Sequence, residues 1–217
     1  MNKLILTAAL ALGALLSAGA AEPAPTDRIP ELDALSNEEL IMSTPLGKQE
    51  ALVQQFQEKE AQRLYRSKAY DPKKTGCNIE TYRNREVIII TIPAALLFPP
   101  NSTELLESAS VYLDPLQRYL NPQAPDRYRV LLVMNTDNTG STAYTDNLSL
   151  NRVESIYEYL DDLGVDTRYL FPTAAGATDP LKPNDTVENR AANRRLEVYL
   201  IPGPLMRDAA KKGRIAF

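Results

Sequence analysis

Asn135–Leu160 reads NTDNTGSTAYTDNLSLNRVESIYEYL, and the reading of this stretch decides the fold. It follows Tyr128–Met134, YRVLLVM, an apolar run of strand length. A polar loop containing Gly140 then leads into a helix with Tyr144, Leu148, Ile156, Leu160 and Leu163 along one side and Gly164 as its C-cap. A strand that feeds a helix in this way is half of a crossover unit. The loop carries Asp137 and the helix carries Arg152. If the helix starts at Ser141, Arg152 sits about 16 Å along its axis. The two charges can then share a site only where the loop folds down beside the helix. Charge spacing alone leaves two readings open, a surface salt bridge or a site for a small zwitterionic group.

Working outward, Glu86–Ile92, EVIIITI, is a β-branched run that predicts a buried strand ended by Pro93. After Leu97-Phe98 and Pro99-Pro100, Asn101 with Glu104 three residues on has the form of a helix cap. Leu105, Leu106, Ala109, Leu113, Leu116 and Leu120 follow at helical spacing, and Pro115 should kink or split that helix. Arg168–Thr173 predicts a third, shorter strand and residues 174–188 a loop. Asn189–Ala192 predicts a helical turn, and Arg194–Ile201 a strand that alternates as if half-buried. The order is β-α-β-α-β-β. This is an α/β chain, an α+β two-layer sandwich with helices on one face of a mixed sheet.

Toward the N-terminus, residues 1–21 have the form of a secretory signal peptide, with Lys3, the apolar run Leu4–Leu16 and Ala18-Gly19-Ala20. An uncleaved membrane anchor is the alternative reading of the same run. Glu22–Pro30 reads as an exposed linker. Ser36–Glu39 has the capping-box form, and Thr44-Pro45 marks the start of a helix to about Tyr65. That helix has a narrow apolar stripe of Leu52, Val53, Phe56 and Leu64, suited to packing on the main domain or to meeting a partner in the cell envelope. The lone Cys77 has two readings, pairing between chains in an exported protein or a buried or unpaired residue. The expected organisation is signal peptide 1–21, helical extension and linker 22–83, main domain 84–202 and a basic tail 203–217.

Composition narrows the function. The 217 residues carry 24 Lys and Arg against 28 Asp and Glu, a net charge of −4 that argues against nucleic acid as a partner. With no histidine and one cysteine, the usual nucleophilic triads are unavailable, and no metal or cofactor site is indicated. Binding is the expected activity, without catalytic residues. No second apolar run could span a bilayer as a helix.

Three motifs sharpen this. Thr136, Asp137, Gly140, Ser141, Tyr144, Leu148, Ser149 and Arg152 form the first. Arg190-Ala191-Ala192-Asn193-Arg194-Arg195-Leu196-Glu197 is the second, and Leu97-Phe98 with Asn101-Ser102 the third. In order and spacing they resemble the OmpA C-terminal-like family of OmpA, MotB and Pal over roughly residues 84–201. The resemblance implies non-covalent binding of peptidoglycan through the diaminopimelate of its stem peptide. It implies Asp137 for the ammonium and Arg152 for the carboxylate. Arg194, Asn101 and Thr139 are implied as supporting contacts. Thr145 stands where the family motif has Asn, and marks where this pocket differs. The implied location is the periplasm, in association with the outer membrane. A protein-interaction module on the same fold is the alternative.

Overall fold

The three long apolar runs become the strands of a single sheet because each is β-branched or aliphatic over a strand's length and is closed by a turn or proline. The computed structural model describes residues 28–43, 50–82 and 84–212. In chain order the elements are α1 (Pro30–Asp33), α2 (Asn37–Met42), α3 (Glu50–Tyr65), α4 (Pro72–Thr75), β1 (Asn78–Tyr82), β2 (Val87–Pro93), α5 (Ser110–Leu113), β3 (Tyr128–Asn135), α6 (Thr142–Asp162), β4 (Leu170–Gly176), α7 (Val187–Asn193), β5 (Arg195–Pro202) and α8 (Pro204–Lys211), with short 3-10 turns between them. The expected signal peptide, most of the linker, the Thr44-Pro45 start and the end of the tail lie outside the described residues.

The sheet order is β1-β2-β5-β3-β4. The chain's last strand, β5, lies between β2 and β3 and runs antiparallel to both, with Val198 opposite Ile90 on one side and Leu132 on the other. β3 and β4 are parallel, joined by the α6 crossover. The mixed sheet with its helix layer is the expected α/β architecture. One strand was not expected. β1 pairs with β2 as an antiparallel hairpin, so the sheet takes in Asn78–Tyr82, upstream of the residue 84 boundary read from sequence. Its sequence, NIETY, is short and mostly polar, with no buried residue, the composition of an edge strand rather than a core strand.

Both faces of the sheet are covered, whereas the sequence predicts helices on one face only; α2 adds the cover on the second, because that face of the strands is also apolar. On one, Ile88, Ile90, Val130, Leu132, Val198 and Leu200 pack against Val53, Phe56 and Leu64 of α3, Leu113 of α5, Val153, Ile156 and Leu160 of α6, and Met206 of α8. The stripe on α3 is thus used in packing, although Leu52 faces outward. On the other face, Leu40 and Ile41 of α2 cover Val87, Ile89, Leu131, Phe171, Tyr199 and Ile201. Ser36 and Glu39 form the expected capping box that starts α2. With covers on both faces and strands on both sides, β5 is buried along its whole length, not half-buried as alternation suggests.

The first crossover also differs. Asn101 does not cap a helix. It adopts a left-handed conformation (φ 56°), and the chain stays irregular until a 3-10 turn at Glu107–Ala109. The backbone donor of Leu106 goes back to the Leu97 carbonyl instead of into a helix. Pro115 has the expected effect, since α5 tightens at Asp114–Tyr119 into a 3-10 segment.

Candidate functional site

Register brings the three sequence motifs together. Arg195 at the start of β5 stands opposite Asn135 at the end of β3 and opposite Pro93 at the end of β2. Asp137, Arg194 and the segment that follows Pro93 therefore meet at one end of the sheet. They line a cavity of about 530 Å³. The six residues singled out from sequence, Asn101, Asp137, Thr139, Thr145, Arg152 and Arg194, all line it.

Asp137 is almost buried, and its carboxylate is held from two sides. Oδ1 accepts from the Thr139 backbone at 2.8 Å, an Asx turn, and Oδ2 accepts from Arg194 Nη1. Burial acts to raise the Asp137 pKa, but the hydrogen bonds from Thr139 and Arg194, with the Arg194 charge, outweigh it and hold the carboxyl below its ordinary value. The loop is fixed through the neighbouring residue. Thr136 N donates to the Gly176 carbonyl at 2.7 Å, and Gly176 N donates to Ser149 Oγ at 3.0 Å. Ser149 is fully buried on α6. Helix, β4 end and Asp137 loop are thereby tied into one chain of hydrogen bonds.

Arg152 is 4% exposed. Nε donates to the Ser102 carbonyl at 2.8 Å, and Nη2 makes a longer contact to the Pro99 carbonyl at 3.4 Å. The guanidinium lies over the Phe98 ring, 4.9 Å from its centroid. The irregular path of residues 99–106 leaves the Ser102 carbonyl to accept from a side chain, while the Pro99 carbonyl also accepts from Ser102 N at 3.2 Å. Among the described residues Arg152 has no carboxylate partner. Burial pulls its pKa down, and the Arg194 charge adds to that against an opposing contribution from Tyr144. An arginine nevertheless keeps its proton. The direct Asp137–Arg152 salt bridge that charge spacing allowed does not form, and Asp137 is paired with Arg194 instead. The lining thus carries one carboxylate against two guanidinium groups, Arg152 and Arg194.

Sequence reasoning missed three contributors. Phe98 is the platform under Arg152. Tyr144, read as part of the helix core stripe, is 44% exposed and spans toward Asn101, its hydroxyl 3.4 Å from Oδ1. Gly140 permits that placement, with φ at 103° and a position where a Cβ would lie 2.9 Å from the Tyr144 ring. Ser149 sat in the motif without a role. A signal was present: Thr145, Ser149 and Arg152 follow i, i+4, i+7, one polar helix face that must point at something other than a hydrophobic core. The Thr145 hydroxyl is buried and donates to the Thr142 carbonyl at 2.9 Å.

Residues 97–194 match the model of the OmpA family, a span that begins beside the Phe98 platform and ends at Arg194. This segment resembles the OmpA family. Outer membrane protein A from Bordetella avium is 35% identical over 79 residues, 36% of this chain and 41% of that protein. A MotB-like protein from Desulfovibrio vulgaris has the same fold, with a TM-score of 0.58 at 25% identity over 71% of this chain and 98% of that one. The cell wall anchor of the T6SS from Pseudomonas aeruginosa shares the fold, with a TM-score of 0.55 at 24% identity, over 64% of this chain and 97% of that one. The chain spans between 41% and 58% of the length of the first curated relatives it matches. Among the described residues no helix is long and apolar enough to cross a membrane.

Proposed function

We propose that this domain binds peptidoglycan non-covalently through the diaminopimelate residue of its stem peptide, and so tethers the protein to the cell wall. The observation that carries the reading is the buried Arg152 guanidinium, which lines the cavity with no carboxylate partner among the described residues. An unpaired buried charge is unfavourable, and a ligand carboxylate supplies the missing partner. Asp137 lines the same cavity and supplies the opposite sign. A carboxylate has about four lone-pair sites, and Thr139 and Arg194 occupy two of them, which leaves room for an ammonium group. The free end of diaminopimelate presents a carboxylate and an ammonium on one carbon, and this pair suits both residues at once. A lysine-type stem peptide lacks that carboxylate and leaves Arg152 unpaired. The relatives' names, an outer membrane protein and a cell wall anchor, support an envelope location. Single-site affinity need not be high, because the wall repeats the ligand many times.

Co-sedimentation with purified sacculi tests this. The protein should pellet with diaminopimelate-type sacculi and weakly or not at all with lysine-type ones. Asp137→Ala and Arg152→Ala should each weaken binding at least tenfold, as expected for loss of a charge-assisted hydrogen bond of about 1.5–3 kcal/mol. Equal binding by folded variants and wild type would remove the site from consideration.

A further inference from the structure

A second cavity, of about 210 Å³, opens at the other end of β3, beside Tyr128. The length of β3 separates it from the first site, roughly 25 Å at the rise of an extended strand. One side of it comes from Phe56 and Glu60 of α3, which lies outside the family-matched span of residues 97–194.

Glu60 lines this cavity and is 6% exposed. Its acceptors are in use. Oε1 takes the Tyr119 hydroxyl at 2.7 Å and Arg63 Nη2 at 2.6 Å, and Oε2 takes Arg63 Nε at 2.9 Å. Arg118 Nε stands 3.3 Å from Oε1, and most of the Arg118 side chain remains exposed. Arg127 lies over the Phe56 ring, 5.5 Å from its centroid. A stacked guanidinium keeps its edge N–H groups available, and among the described residues those of Arg127 have no hydrogen-bond or ion-pair partner. The Tyr128 hydroxyl proton is already given to Gln57 Oε1 at 2.8 Å. Two arginines, Arg118 and Arg127, thus line the cavity against one carboxylate, and Arg127 keeps its guanidinium N–H donors unused.

We infer that this cavity is a binding site for a small oxyanion, a phosphate or carboxylate group, gripped by Arg118 and Arg127 against the aromatic wall of Phe56, Tyr119 and Tyr128. Two guanidinium groups match such a group through paired N–H donors. Glu60 and Arg63 act as positioning residues that hold Arg118 at the rim. The inference does not rest on the peptidoglycan reading of the first cavity.

Amide NMR of the labelled protein titrated with inorganic phosphate is the direct test. Saturable shifts should concentrate on residues 118–128 and on α3 near Glu60. Arg118→Gln/Arg127→Gln should weaken phosphate binding by roughly tenfold or more, while Ser155→Ala, whose hydroxyl only bonds back to its own helix, should leave it unchanged. Both exchanged side chains lie at the rim, so the variant should keep a dispersed spectrum; if it does not, the two single exchanges are read instead. Acetate competition separates the sources: displacement of phosphate by acetate at similar concentration identifies a general oxyanion site, and failure to displace identifies a phosphate site. Flotation with phosphatidylglycerol vesicles that is lost in the double variant would identify a lipid headgroup as the phosphate source. Absence of saturable shifts, or shifts that persist in the arginine variants, would overturn the assignment.

Discussion

Arg152 sits almost out of solvent with two carbonyls and an aromatic ring for company, and on the proposed function its charge is kept for the ligand. Replacing a buried charge by an apolar side chain of similar length is often stabilising. Arg152→Met is therefore expected to raise the stability to denaturant by about 1 kcal/mol while abolishing binding to sacculi. A loss of both in equilibrium unfolding and co-sedimentation would show that the guanidinium has a structural role instead. Asp137 gives a pH signature. Its folded pKa lies below the ordinary value of 3.8, so its contribution to stability is fully present above that value. The contribution is lost as pH falls through the lower, folded value. The stability difference between wild type and Asp137→Asn should thus be constant near neutrality and vanish only in strongly acid solution, as urea titrations at a series of pH values would record.

At the scale of the element, α6 does more than cross from β3 to β4. Its Ser141 cap fixes where the helix begins, and from its polar face Thr145 and Arg152 line the cavity while Ser149 bonds to the end of β4. Ser149 is the link between this helix and the Asp137 loop, through Gly176 and Thr136. Ser149→Ala leaves the buried Gly176 N–H without its acceptor, which should cost about 1–3 kcal/mol in chemical denaturation and weaken ligand binding as the loop loses its anchor. Ser155→Ala removes only an exposed hydroxyl bonded back to its own helix and should change neither measurement appreciably. The 99–106 segment makes the complementary contribution. Because Pro99-Pro100 and the left-handed Asn101 keep it out of a helix, its Ser102 carbonyl accepts from Arg152 rather than from a helical backbone N–H.

For the whole molecule, the sheet is a wall with a cover on each side, and the cover from α2 is the thinner of the two. Leu40 and Ile41, each 2% exposed, are the buried residues of α2 on that face. Ile41→Ala should destabilise the protein by about 2–4 kcal/mol. Leu52→Ala, on the outer side of α3, should cost no more than about 0.5 kcal/mol. Thermal unfolding of the two variants side by side is the measurement. A small effect of Ile41→Ala would mean that α2 contributes little to the cover of this face. The same wall explains how one site draws on distant sequence. β5 is inserted between β2 and β3, so the end of one strand, the start of another and the loop after a third share an edge.

Much of this was legible in the sequence. The runs at Val87–Pro93, Tyr128–Asn135 and Arg195–Pro202 announce strands because β-branched and aliphatic residues in unbroken series have few other uses. Gly164, in a left-handed conformation, ends α6 where a C-cap glycine should. The six candidate residues could be named because they fall in spaced motifs, and they line one cavity. Three things only the tertiary structure decided. β1 is too short and polar to be read as a strand until β2 offers it an edge. Residues 99–106 have a helix-like pattern, yet stay irregular because their carbonyls accept from Arg152 and their Leu106 donor returns to Leu97. The partner of Asp137 is Arg194 and not Arg152, because strand register, which no local pattern encodes, sets the start of β5 beside the end of β3. Local sequence chooses the elements; which charges meet depends on pairing between segments tens of residues apart.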